Sequence, residues 1–251
     1  MKISIITVSY NCVATIKSTI ESVLSQKGID FEYIIIDGNS TDTTREIIES
    51  FGNKITRFIS EPDHGMYDAL NKGIKTATGD IIGIINADDI YNDEFVLEKV
   101  AESFEKNNVD SIFGNVRFVN DSNLNKTVRY ISGKSFKPSH TRFGFMPPHP
   151  AIFIKKTVFE KYGLYKIDYK IAADFELVVR LFYIHKIKYH YENIDMIKMR
   201  LGGKSTKSVI SNYILNRETI RACQENLVYT NMYMLLLKYP FKILEFINPK
   251  I

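Results

Sequence analysis

Apolar residues follow two rhythms along the first hundred positions of this chain. Short continuous runs at Lys2 to Val8, Phe31 to Ile36, Ile55 to Ile59 and Asp80 to Ile85 are rich in β-branched residues and bounded by polar ones, as in buried strands. Between them lie stretches with helical spacing. Ala14 to Ser25 puts Ile16, Ile20, Val23 and Leu24 on one face. A second helix starts at Thr41-Asp42 with Ile47 and Ile48 inward and Ser40 or Thr41 as its N-cap. Gly65 to Thr76 and Asp93 to Lys106 complete the set. Strand and helix in alternation predict an α/β fold: a Rossmann-like, mostly parallel sheet with helices on both faces, joined by right-handed crossovers.

The rhythm loosens after residue 107. Asp110 to Val119 predicts one or two strands, Thr127 to Ile131 another, and Ala151 to Ile154 a further one followed by a helix from Thr157. Ser132 to Pro148 is rich in turn residues. Ala172 to Ile184, Asn212 to Glu225 and Met232 to Phe246 read as helices, the last broken or kinked near Pro240. This divides the chain into a main unit over 1–210, with halves at 1–106 and 107–210, and a C-terminal helical extension over 211–251.

Composition narrows the class. A chain of 251 residues that is 45% hydrophobic and 25% charged can bury a sizeable core. Cys12 and Cys223 alone make no disulfide framework, which fits a reducing compartment. The apolar start is too short for a signal peptide, and no stretch is long and apolar enough for a membrane span, so the expected location is the cytoplasm. The net charge of +4 hides an asymmetry: residues 1–125 carry 11 Lys and Arg against 20 Asp and Glu, whereas residues 126–251 carry 22 against 9. A basic second half suits anionic partners: nucleic acid, phospholipid or a phosphorylated substrate, or else a mixed solvated surface.

The chemistry gathers at the strand ends, where open α/β sheets bind ligands. The first strand closes on Thr7-Val8-Ser9-Tyr10-Asn11, whose hydroxyls and amide can bond a base or ribose, or simply cap the loop. The second closes on Asp37, which can accept from a nucleobase or ribose, or cap a turn. The fourth closes on Asn86-Ala87-Asp88-Asp89. Adjacent carboxylates repel, and a divalent cation bridging to phosphate relieves that cost; the alternative is a helix cap. Asp174 opens a helix and is either its cap or a general base. His149 sits in the rigid Pro147-Pro148-His149-Pro150 segment, and Leu201-Gly202-Gly203-Lys204-Ser205 is a basic loop able to clamp phosphate. No G-x-G-x-x-G follows the first strand and no Walker A sequence is present.

Together these pieces resemble the inverting nucleotide-sugar glycosyltransferases of family 2, with the GT-A fold. The resemblance covers residues 1 to about 210. It rests on Thr7-Val8-Ser9-Tyr10-Asn11, Asp37-Gly38-x-Ser40-Thr41-Asp42, Tyr67-Asp68-Ala69-x-Asn71-Lys72-Gly73, Gly79-Asp80 and Asn86-Ala87-Asp88-Asp89 in this order. It is greatest to the bacterial members that build O-antigen, capsule or exopolysaccharide. The resemblance implies that Thr7, Ser9, Tyr10, Asn11 and Asp37 line a uridine pocket. Asn71 and Lys72 then lie beside the ribose and diphosphate, and Asn86, Ala87 and Asp88 occupy the D-x-D position. Asp88, with Asp89 beside it, becomes the ligand for Mn²⁺ or Mg²⁺. Asp174 matches the presumed catalytic base, Lys204 closes over the donor, and His149 lies on the acceptor side. The chain departs from the pattern at Asn86, where D-x-D begins with Asp, and at Ala173, where the family's E-D motif has Glu.

The expected reaction is transfer of a sugar from a nucleotide sugar, UDP-linked by preference, to a saccharide or lipid-linked saccharide acceptor. Nucleic acid is not an expected partner, and an oligomer is allowed. The apolar, lysine-spaced stretch over 231–247 suits peripheral contact with the inner face of the cytoplasmic membrane, or packing on the catalytic unit. Two other readings compete: a sugar-phosphate nucleotidyltransferase, which lacks its glycine-rich phosphate loop here, and a non-enzymatic polyanion-binding module, which leaves the acidic strand ends unexplained.

Overall fold

The computed structural model describes residues 1–121, 123–201 and 209–240. Lys204 and the stretch 241–247 of the expected membrane contact lie outside the described residues. The first half contains β1 (Ile3–Ser9), α1 (Ile16–Leu24), β2 (Phe31–Asp37), α2 (Thr44–Glu49), β3 (Arg57–Ser60), α3 (Met66–Thr76), β4 (Ile81–Ile84), β5 (Ile90–Tyr91) and α4 (Val96–Asn107). The second contains β6 (Ser111–Asn120), β7 (Asn123–Ile131), β8 (Ile152–Lys155), α5 (Lys156–Tyr162), α6 (Ala173–Val178), β9 (Tyr189–Arg200), α7 (Val209–Glu225) and α8 (Met232–Leu236).

The strands form one sheet in the order β3-β2-β1-β4-β8-β6-β9-β5, with β7 beside β6. β3, β2, β1 and β4 are parallel throughout. β8 enters antiparallel between β4 and β6, and β9 runs parallel to β6. Strand periodicity sorts the core into two layers. Ile3, Ile5, Tyr33 and Ile35 face α1 and α4; Ile6, Ile34 and Ile36 face α3 and α6. Burial is nearly complete on both faces, which explains the unbroken apolar runs of β1 and β2. α3 lies close on the sheet because Gly73 has no side chain: a Cβ there would meet Ile6 Cγ2 at 2.6 Å.

Four elements refine the sequence expectation. α2 starts at Thr44, where the Asp42 carboxylate accepts from the Thr44 N–H at 3.0 Å; Ser40 and Thr41 do not cap it, because Ser40 is drawn onto Asp37. β9 was not expected. Its burial is mostly partial, so it shows neither the continuous apolar run nor the clean alternation that marks a strand. Like β8, it joins the halves, pairing with β6 and with β5. α6 continues through a π-helical turn over Val179–Ile184. α8 is interrupted at Leu237, three residues before Pro240, whose ring and missing N–H disfavour the preceding helical turn.

Candidate active site

The carboxyl ends of β1, β2 and β3 lie level, since Ser9 pairs with Asp37 and Asp37 with Ser60. Asp37 is fully buried at this rim. Its carboxylate accepts from Ser9 Oγ (2.9 Å), Ser40 N (2.9 Å), Ser40 Oγ (2.6 Å) and Ser60 Oγ (2.8 Å). Four donors surround it, so Asp37 and Ser9 shape the floor of the rim. Thr7 is turned inward. It shares the strand face of Ile3 and Ile5, so its side chain points into the core and exchanges a 3.0 Å hydrogen bond with the Tyr33 hydroxyl. Asn11 adopts φ 50°, and its amide oxygen accepts from Thr41 N at 2.8 Å, which ties the β1 loop to the β2 loop. Tyr10 projects from the same loop with about half its surface exposed.

Asn71 is drawn away from the expected diphosphate. Its Nδ2 donates to the Tyr165 carbonyl (2.8 Å) and its Oδ1 accepts from the Tyr165 N–H (3.0 Å), so the whole amide clamps α3 to the segment after α5. Lys72 pairs with Glu61 at 2.8 Å and donates to the Pro62 carbonyl at 3.1 Å. The bond to Glu61 holds its ammonium above the usual lysine range.

β4 runs into Asn86, Ala87, Asp88 and Asp89, and the two adjacent carboxylates have opposite surroundings. Asp89 is 1% exposed, with its carboxylate on Asn86 Nδ2 (2.7 Å) and its carbonyl on Thr19 Oγ1 (2.8 Å). Burial and then the neighbouring charge of Asp88 push its pKa well up, opposed by the Asn86 hydrogen bond and Arg200. Asp89 therefore points inward, held as a buried support beneath Asp88. Asp88 is partly exposed, and among the described residues no hydrogen bond or ion pair engages its carboxylate. No three acidic, His or Cys side chains converge as a metal cluster among the described residues. A single hard carboxylate with open coordination fits a cation that takes its remaining ligands from phosphate and water, the usual habit of Mg²⁺.

The second constellation is built from both halves. Asp174 lies in the first turn of α6, with Oδ1 accepting from the Phe175 N–H at 2.7 Å. It keeps slight access to solvent although protein crowds it closely. Desolvation pushes its carboxyl above the ordinary value, opposed by His149 and by the Tyr67 hydroxyl. Tyr67 also donates to the Ile171 carbonyl and stacks on Tyr165, ring centroids 5.8 Å apart. The Tyr165 hydroxyl bonds His149 Nε2 at 2.8 Å. Burial lowers the His149 pKa, with Asp174 acting the other way. His149 lines a small apolar cavity with Ile82 and Ile84 of β4, the strand that leads to Asp88. Sequence reading assigned no role to Tyr67 and Tyr165. Tyr67 stands inside the quoted Tyr67-Asp68-Ala69 run, so its signal was present; Tyr165 has no local signal.

A desolvated carboxylate poised above its usual pKa is suited to accept a proton, and an unengaged carboxylate at a strand end is suited to a cation. Comparison with known proteins gives the family and the fold. The model for "Glycosyl transferase family 2" matches residues 4–163. A PGL/p-HBAD biosynthesis glycosyltransferase of Mycobacterium tuberculosis is 27% identical over 218 residues, 85% of this chain and 82% of its own length. An uncharacterized glycosyltransferase of Nostoc sp. is 26% identical over 248 residues, 93% of this chain and 74% of that one. Among solved structures, S. aureus TarS 1-349 in complex with UDP-GlcNAc covers all of this chain with TM-score 0.66 and 16% identity, over 76% of its own length. The longer TarS structure is spanned over only 39% of its length. The mannosyltransferase PcManGT of Pyrobaculum calidifontis, with GDP-Man and Mn²⁺, has TM-score 0.60 and 15% identity over 96% of this chain and 79% of its own. The fold is that of the GT-A glycosyltransferases, and the chain belongs to glycosyl transferase family 2.

Proposed function

We propose that this protein is an inverting glycosyltransferase that moves a sugar from a UDP-sugar to a saccharide acceptor, lipid-linked, in the building of a bacterial surface polysaccharide such as O-antigen or capsule. The observation that carries the reading is Asp174, a crowded carboxylate with a raised pKa set beside His149 and Tyr67. Residues 1–106 serve the nucleotide and 107–210 the acceptor. Tyr10 offers an exposed ring for the base, over a floor held by Asp37 and Ser9. Asp88 holds Mn²⁺ or Mg²⁺, which stabilises charge developing on the departing diphosphate. Asp174 removes the proton from the acceptor hydroxyl as that oxygen attacks the anomeric carbon; the carbon–oxygen bond to UDP breaks, and one displacement inverts the centre. His149 and Tyr165 hold the acceptor side of the pocket.

Family membership weighs against the nucleotidyltransferase and polyanion-binding readings. A UDP-sugar is favoured because TarS 1-349 was solved with UDP-GlcNAc, although PcManGT was solved with GDP-Man. The test is a thermal-shift screen against UDP, GDP, CDP and TDP, with and without Mn²⁺. A metal-dependent rise with UDP alone is expected, and its loss in Asp88→Ala; a rise with GDP alone overturns the UDP assignment. No shift with any nucleotide overturns the donor site.

The location proposed is the inner face of the cytoplasmic membrane. No helix among the described residues is long and apolar enough to cross a membrane. Support comes from Tyr229, Tyr233, Leu236 and Leu237, large apolar side chains left exposed around α8, in the basic half of the chain. Co-sedimentation with anionic vesicles should fall when Tyr233 and Leu236 are both changed to Glu; unchanged binding removes this contact.

A further inference from the structure

The C-terminal helix α7 lies beyond residues 4–163, the span matched by the family model, and nothing in the motifs quoted above assigns it a part in the chemistry. It nevertheless sends one carboxylate to the backbone immediately before Asp174. Glu218 Oε1 accepts from the Lys170 N–H at 2.7 Å, and Oε2 accepts from the Ile171 and Ala172 N–H groups, each at 2.9 Å. Three successive amides thus converge on one side chain, as amides converge on an anion in a backbone nest. Two of these three residues are also fixed through their carbonyls. The Ile171 carbonyl accepts from the Tyr67 hydroxyl, and the Ala172 carbonyl accepts the first bond of α6 from the Glu176 N–H at 3.0 Å. Asp174 is two residues further on, so its position depends on how this turn is held.

We propose that Glu218 is a positioning residue for Asp174, acting through the backbone of residues 170–172; this rests on the reading of Asp174 as the base. The C-terminal extension is then part of the active-site scaffold. A nearby carboxylate on the same helix provides the contrast. Glu225 pairs with Lys166 at 2.7 Å and accepts from Tyr169 and Arg221, touching side chains only. It secures the same segment without gripping the amides next to Asp174.

The experiment compares Glu218→Ala, Glu218→Gln, Glu225→Gln and Asp174→Asn in the full chain. Hydrogen exchange of the 170–172 amides needs no substrate. Turnover is read as UDP release from UDP-glucose, UDP-galactose and UDP-N-acetylglucosamine. In Glu218→Ala the three amides should exchange faster and kcat should fall by about 100-fold, the loss associated with roughly 1 Å of misplacement. KM for the donor should hold, because the donor site lies on other elements. Glu218→Gln keeps one acceptor oxygen and should fall between Ala and wild type; if the Ala variant does not fold, Gln decides alone. Glu225→Gln should keep its kcat. Unchanged exchange in Glu218→Ala overturns the proposal. So does wild-type kcat in Glu218→Ala alongside an inactive Asp174→Asn, or an equal loss in Glu225→Gln. Wild-type turnover in Asp174→Asn overturns the base reading itself, whatever the Glu218 variants do.

Discussion

Two crowded carboxylates, Glu32 and Asp174, have been pushed in opposite directions by the same fold. Glu32 lies near the start of β2, at the opposite end of the strand from Asp37, and is 4% exposed. Burial alone would raise its pKa. Ser4 Oγ, the Thr78 N–H and hydroxyl and the Gly79 N–H all donate to it, and together they bring it down to about 2. Asp174 is donated to by the Phe175 N–H and the Tyr67 hydroxyl, but desolvation outweighs them and its pKa stays raised. A carboxylate surrounded by donors is a rivet. One that is desolvated and under-donated is chemically ready, and the fold bears the cost of keeping it so.

The comparison breaks first at Asp174→Asn. Loss of a general base lowers turnover by about a hundred- to ten-thousand-fold. Metal-dependent UDP binding should survive. The thermal midpoint should not fall, since the substitution removes a carboxylate that the folded state ionises reluctantly. The signs of linkage follow from the two shifts. Asp174 binds its proton more tightly when folded, so its contribution to stability declines as pH rises above the ordinary value of 3.8 through its folded pKa. The acid limb of kcat/KM should accordingly lie above that value. A limb at 3.8 or below would remove Asp174 from the role.

Glu32 has the opposite sign. Its displacement from 4.5 to about 2 corresponds to ~3 kcal/mol, present at neutral pH and lost as pH falls from about 5 toward 2. Glu32→Gln should lose most of that in urea unfolding at pH 7 and flatten the acid branch of the stability curve, with kcat unchanged in the protein that remains folded. Equal acid sensitivity of variant and wild type would mean that the donors around Glu32 contribute nothing.

The two ends also differ in how far they could be read from sequence. The parallel half was legible because β1, β2 and β4 are buried on both faces and α1, α3 and α4 on one, so burial writes itself as periodicity. β9 was not legible, because its burial is partial and its register against β6 shifts near Asn115. The rim was legible as a set of residues but not as a set of roles. A motif places Thr7 and Asp37 at strand ends and Asn71 on α3; which way each side chain turns depends on strand parity and on partners far away in sequence, such as Tyr165 for Asn71. Glu218 shows the limit case, a carboxylate on a late helix whose partners are backbone amides and therefore leave no trace in residue type.

Asn71 tests that distinction at an intermediate scale. If its amide is a clamp, Asn71→Ala leaves the Tyr165 N–H and carbonyl unpaired in a buried place and costs roughly 2 kcal/mol in urea unfolding. Affinity for UDP with Mn²⁺ should hold. A loss of UDP affinity with stability intact would return Asn71 to the ribose.

The smallest effect expected separates Asp88 from its neighbour. Asp88→Asn removes the carboxylate at the end of β4 that no other group among the described residues engages, so metal-dependent UDP binding should weaken while stability stays level. Asp89→Asn removes a fully buried carboxylate whose charge is opposed by burial and by Asp88 itself. The amide is nearly the same size, can still accept from Asn86 Nδ2, and relieves the repulsion between the pair, so stability should be unchanged or slightly higher and UDP affinity unaltered. Isothermal titration with UDP and Mn²⁺ on the two variants reads this directly. Equal weakening in both would mean that Asp89 turns outward on binding and that the cation rests on two carboxylates; weakening in Asp88→Asn alone leaves Asp89 as the buried support beneath a single ligand.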